Sequence, residues 1–227
     1  MTSPLVTSIL FHIGPVPISR TVATTWAILV VLAAGSFLTT RRLSLQPTRL
    51  QNVLEFAIEV LQRQVGETMR VAPGPYVSLI GTLFFFILVA NWSSLIPGVE
   101  PPTAHIETDA ALAAVVFGAV IWFGIRKRGA IGYLKTFAQP TIVMVPLNIL
   151  EAFTRTFSMM IRLFGNVMSG VFVIGVVLSL AGLLVPIPLM ALDLLTGAVQ
   201  AYIFTVLAMV FIGSAVSGSE ELNSKRE

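Results

Sequence analysis

The sequence predicts an all-α membrane protein, and three observations carry that expectation. The chain is 56% hydrophobic and only 11% charged over 227 residues, with a mean hydropathy of +0.89. An ordinary soluble domain is about 25% charged, so much of this apolar surface must face a bilayer rather than one core. Several apolar runs also reach the roughly 20 residues that a spanning helix needs. Finally, one long apolar segment carries its polar residues on a single helical face. The expected architecture is one polytopic domain over residues 1–227, with about five membrane helices and one amphipathic surface helix.

The first expected span is 22–40, ending at Arg41-Arg42. Next comes "QPTRLQNVLEFAIEVLQRQVGETMR", about 47–70, where Leu50, Val53, Leu54, Ala57, Ile58, Leu61 and Val65 recur at helical spacing. Glu, Gln and Arg between them make this an amphipathic helix, with Pro47 near its start. It would lie along the membrane surface or pack on other helices. Residues 76–96 form the second span, ending at Pro97-Gly98, and 108–125 the third, ending at Arg126-Lys127-Arg128. The fourth, 141–185, has no strong turn signal beyond Pro146, and "PIP" at 186–188 separates it from a fifth at 189–216. As one helix, the fourth would be ~65 Å long against a ~30 Å hydrocarbon core, so it must tilt or bend.

Loop charge sets the orientation. Arg41, Arg42, Arg49, Arg126–Arg128, Lys135, Lys225 and Arg226 belong on the cytoplasmic side, and the acidic loop 97–107 outside. The N-terminus is then expected outside and the C-terminus inside, with Arg20 a mild dissent. The first fifteen residues carry no Lys or Arg, so they do not read as a secretory signal. There is no cysteine, and the two histidines, His12 and His105, lie far apart with no metal-ligand spacing. No phosphate-cradling "GXXXXGKS" loop or catalytic triad is present. A basic balance in this setting points to an anionic membrane surface rather than nucleic acid, and no cofactor is implied.

The polar residues of the fourth segment are Asn148, Glu151, Arg155, Ser158, Arg162, Asn166 and Ser169, in steps of 3 or 4. That is one helical face, and it must meet protein or water because hydrocarbon cannot satisfy it. Its Ser and Asn could simply bond a neighbouring helix. Arg162 is different: it cannot shed its proton, and its insertion costs ~3 kcal/mol on translocon scales. On the last helix Asp193, Thr196 and Gln200 share a face, with Gly197, Ala201 and Ala208 small enough for close packing. Asp193 could be a solvated interfacial group. A path for a small ion fits these residues better than an enzyme site.

Four stretches carry a family resemblance. "IRLFGN" at 161–166 resembles the signature of subunit a of F-type ATP synthases. "LTGAVQAYIFTVL" at 195–207 resembles that family's last helix, "IGPVPISRTVATTW" at 13–26 its entry to the first span, and "NWSSLIPG" at 91–98 the end of its second. The resemblance implies two long, steeply inclined helices packed against a c-ring, with a subunit b peripheral stalk and membrane lipids as the other partners. It implies that Arg162 is the stator arginine, Gln200 its close neighbour, and Asn166 and Ser158 part of the path lining. The bacterial inner membrane is the implied location. The chain departs from the family pattern at Val171, where relatives often have Glu or His. Asp193 stands where they often show His or Glu, and Ser94 where some have Asp. A leaner outer half-channel follows, in which Asp193 carries more of the acid–base work, and either H⁺ or Na⁺ fits as coupling ion.

Two expectations compete over the last two helices. A hairpin turning near residue 187 sets Gln200 opposite about residue 174, whereas the resemblance sets it beside Arg162, and the resemblance decides, since strongly inclined helices can cross with such an offset. The rival function is a secondary transporter or channel in which Arg162 binds an anionic substrate. Such folds usually show paired repeats with broken helices, and no second copy of the stripe exists in this sequence.

Overall fold

Among the described residues, six α-helices accommodate these polar faces. The computed structural model describes residues 9–13, 16–41, 49–96, 99–137, 144–182 and 185–217. Pro47, Arg42, Pro97-Gly98, residues 141–143 of the fourth expected span, Lys225 and Arg226 lie outside the described residues. Helix accounts for nearly all the described secondary structure. The exception among the described residues is an unanticipated hairpin of β1 (Ile9–Ile13) and β2 (Val16–Ser19), paired antiparallel.

The hairpin feeds directly into α1 (Arg20–Thr40), because Ser19 caps it: the Ser19 hydroxyl accepts from the Val22 amide at 3.4 Å. Most of α1 is bare, with Val30, Val31 and Leu38 exposed, and Ile28 buried. A surface so apolar suits lipid. The amphipathic α2 (Arg49–Met69) packs on α3 (Gly74–Trp92) and α6 (Pro186–Ser217). Its packed face is narrower than the periodicity suggested. Val65 and Met69 are buried, whereas Val53 and Ile58 are exposed beside Phe56 and Val60. The C-terminal half of α2 is seated deepest in the bundle, while Gln51, Leu54 and Ala57 of its N-terminal half are half-buried.

Helix α3 begins with Pro75 in its first turn, where the missing N–H costs nothing. It buries Ile80, Leu83, Phe86, Ile87 and Ala90 and passes into a 3-10 turn at Ser93–Leu95. A second 3-10 turn, Pro102–Ala104, leads into α4 (Ile106–Phe137). The expected end at the Arg126–Arg128 cluster is passed, because basic side chains do not stop a helix. Gly129 breaks α4 instead, with φ 72° and ψ 160°, a left-handed value open chiefly to glycine. The chain folds back there, so that the Tyr133 ring lies against Gly124.

Helix α5 (Met144–Ala181) has 38 residues and spans ~57 Å at the standard rise. The last helix, α6, starts at Pro186 rather than after "PIP". Proline is favoured in a first helical turn, so the two prolines open this helix instead of separating two. Helix α6 is the hub, packing on α2, α3, α4 and α5. In its most apolar stretch 50% is buried, against 11% for α5. The five helices α1, α3, α4, α5 and α6 are each long and apolar enough to cross a membrane.

Candidate functional site

Helix α5 meets the bundle through Met159, Leu163 and Val167, all buried and four residues apart. That spacing turns one face inward and leaves the polar stripe largely on the uncovered side. Glu151, Arg155, Ser158, Arg162 and Ser169 are exposed, and Asn166 is half-buried. Glu151 and Arg155 form an ion pair one turn apart. The Ser169 hydroxyl donates to the Asn166 carbonyl at 2.9 Å, so it is spent within the helix. Arg162 stands midway along α5, and no hydrogen bond or ion pair reaches its side chain among the described residues. A groove of about 620 Å³ runs along this stretch, where Glu151, Arg155, Ser158 and Arg162 face Leu207 and Phe211 of α6. A second cavity of about 370 Å³ opens on the other side of Glu151 and Arg155, toward Asn148, Tyr133 and Ser214.

The register of α5 on α6 follows from two contacts. The guanidinium of Arg155 lies 5.4 Å from the Phe211 ring centroid. The Asp193 carboxylate lies where a Cβ on Gly170 would sit. The midpoints of those pairs are about 183 and 181.5, not 187. Gln200 therefore falls level with about residues 163–166, within a turn of Arg162, and not with residue 174. Starting α6 at Pro186 shortens the connection and shifts the pairing. Gln200 is only 7% exposed, and its Nε2 and the Asn166 Nδ2 are both buried without a hydrogen-bond partner.

A second polar group surrounds Asp193 at the other end of the site. Ser94 donates to Asp193 Oδ2 at 3.3 Å. The Trp92 indole N–H donates to the Leu194 carbonyl at 3.2 Å, and Asn91 Nδ2 to the Gly197 carbonyl at 2.8 Å. Thr103 in turn donates to Asn91 Oδ1 at 2.8 Å. The end of α3 thus grips α6 from Asp193 to Gly197. Two glycines allow the approach. A Cβ on Gly197 would meet Asn91 Cβ at 3.1 Å, and Gly170 leaves room for the Asp193 carboxylate.

Ser94 and Asp193 stand out in the sequence, whereas Asn91 and Thr103 do not, although they lie in "NWSSLIPG" and in the loop 97–107. An Asn at the end of an apolar span is a weak signal in itself. Nor does Asp109 stand out, which is completely buried in the first turn of α4.

Five membrane-length helices with a charged stripe on the bare face of the longest define a multi-pass helical membrane protein. Hydrocarbon cannot satisfy such a stripe, so it must face other protein or water. The chain belongs to the ATP synthase A chain family, whose model matches residues 22–213. It is 56% identical over 215 residues to "ATP synthase subunit a 2" of Bradyrhizobium sp. (strain BTAi1), covering 95% of this chain and 96% of the relative. "ATP synthase subunit a 1" of Chlorobaculum parvum is 46% identical over 95% of this chain and 96% of its own length. "ATP synthase subunit a" of Albidiferax ferrireducens is 45% identical over 90% of each. The chain is accordingly a membrane component of the ATP synthase complex, from the family that supplies its proton-translocating stator subunit.

Proposed function

We propose that this chain forms the two half-channels of the F0 sector, and that Arg162 is the fixed cation between them. The observation that carries the reading is Arg162 itself, unpaired and exposed halfway along α5 on the face the bundle leaves bare. A cation at membrane depth needs a partner. A ring of identical c subunits, each bringing one carboxyl group to that face, would supply it.

Each rotor carboxyl crosses lipid neutral, since a buried carboxylate is costly. Opposite Arg162 it can release its ion, because an adjacent cation favours the charged form. The guanidinium keeps its proton throughout, so it receives the emptied rotor site without relaying protons. A direct leak between half-channels is blocked, and ions pass only as the ring turns. Each elementary charge driven through 100 mV supplies about 2.3 kcal/mol. Lysine would serve less well, because its charge is more easily lost on desolvation.

On this reading Asp193, held by Ser94 against Gly170, serves the outer half-channel. Glu151 and Asn148, on the cavity shared with Tyr133 and Ser214, line the inner one. Ser158, Asn166 and Ser169 are the neutral lining between, and Gln200, within a turn of Arg162 by the helix register, would share the guanidinium with the rotor carboxyl. The N-terminus is outside and the C-terminus cytoplasmic, in a bacterial inner membrane. The exposed half of α2 offers a surface to the subunit b stalk.

The test is Arg162→Ala in the assembled complex. ATP-driven proton pumping into inverted vesicles should vanish while the subunit still co-purifies with the ring. Pumping that survives the change refutes the assignment.

A further inference from the structure

Asp109 has no role in the mechanism above, yet it is the most deeply buried acidic side chain among the described residues, at 0% exposure. Both its carboxyl oxygens are buried without a hydrogen-bond partner. Its place in the first turn of α4 does not account for this. The amides of Thr108 and Asp109 bond back to the His105 carbonyl, at 3.1 and 3.4 Å. Glu107, also in that turn, is exposed. A buried carboxyl with no protein partner is stable only while it carries a proton or a cation.

Its depth is set by the helices around it. Val116 of α4 and Thr156 of α5 line one cavity. In an antiparallel pair, Asp109, seven residues before Val116, falls level with about Leu163, seven after Thr156. The start of α4 is therefore sunk to about the level of Arg162, Asn166 and Gln200. The 3-10 turn Pro102–Ala104 that precedes it packs on α3, α4 and α5, and Thr103 within it is fully buried. At that level Gln200 Nε2 and Asn166 Nδ2 are likewise unpartnered. The charged groups within about two turns of that level are Asp193 on α6 and Arg162 on α5, with His105 and Glu100 in the segment before α4, their Nε2–Oε2 distance 3.6 Å; Glu100 is exposed and His105 half-buried.

We propose that Asp109 is a second ion-exchanging carboxyl of the outer path, placed inward of Asp193. It would bind a proton arriving from the outside and release it toward the rotor carboxyl, without net chemistry. This rests on the half-channel reading, and the experiment separates the two.

Asp109→Asn, nearly isosteric, should cut passive proton flow through the F0 sector in vesicles at least tenfold. Asp109→Glu should restore part of it. Because the chain has no cysteine, Asp109→Cys adds a single thiol to this subunit. Ethylammonium methanethiosulfonate should modify that thiol from the outer side only and block the remaining flow. Wild-type flow in Asp109→Asn, or a thiol unreactive from the outside, overturns the proposal. So does failure of all three variants to assemble, which would make Asp109 a structural residue. If Arg162→Ala abolishes pumping while Asp109→Asn flows normally, only this inference falls. If Arg162→Ala still pumps, the broader reading falls as well.

Discussion

Replacing Asn91 with alanine tests whether the end of α3 holds the outer part of the site in place. Asn91 is 5% exposed and Thr103 0%. Asn91 Nδ2 donates to the Gly197 carbonyl and its Oδ1 accepts from Thr103, each at 2.8 Å. Asn91→Ala removes both bonds and leaves the Thr103 hydroxyl buried without an acceptor. An orphaned buried donor costs about 1–3 kcal/mol, and a lost ordinary hydrogen bond about 1 kcal/mol. The Gly197 carbonyl suffers less, since its helix can still use it. The expected total is about 2–4 kcal/mol, or roughly 30- to 1000-fold in the unfolding constant. Thr103→Val keeps the volume and removes the donor that would be orphaned. The double variant should therefore cost less than the sum of the singles, with a coupling of about 1 kcal/mol. Reversible unfolding of the purified subunit in mixed detergent micelles measures all four corners of the cycle. Costs that add to within ~0.3 kcal/mol would show that Asn91 and Thr103 do not act as one unit. Asn91→Ala should also slow proton flux, because the same grip positions Asp193.

Gly170→Ala has no room for its methyl group beside the Asp193 carboxylate; the complex should assemble, and proton flux should fall at least fivefold as that carboxylate is displaced. Asp193→Asn should slow flux severely and Asp193→Glu retain part of it in the same vesicle assay, whereas near-normal flux in Asp193→Asn would return the residue to a solvated interfacial role. Gln200→Leu removes the amide level with Arg162 and should lower ATP-driven pumping at least tenfold; wild-type coupling would count against a shared Gln200–Arg162 site. A tag fused after "ELNSKRE" should react with an impermeant label only from the cytoplasmic side, and labelling of intact cells from outside would reverse the topology.

The membrane class, the apolar runs, the amphipathic α2 and the face of α5 that carries Arg162 were all legible without coordinates. Each depends on residues three or four apart within one helix, and local periodicity reports such faces directly. The family, too, was legible, because "IRLFGN" and the run around Gln200 are contiguous motifs. The partners of the polar groups were not. Asn91 meets Gly197 across 106 residues of sequence, and Ser94 meets Asp193 across 99. Nothing in the spacing of either helix encodes those distances. The turn point near residue 187 lay about five residues too late, because prolines 186 and 188 open α6 rather than separating it from α5, and the family resemblance rather than mirror pairing set Gln200 near Arg162. The break in α4 was missed because it is set by the left-handed Gly129 and not by the basic cluster before it. Burial of Asp109 could not be read from its sequence neighbours, since Glu107 two residues away is exposed. Whether a polar atom in a membrane helix is covered depends on which other helices pack against it and at what height, and only the tertiary structure decides that.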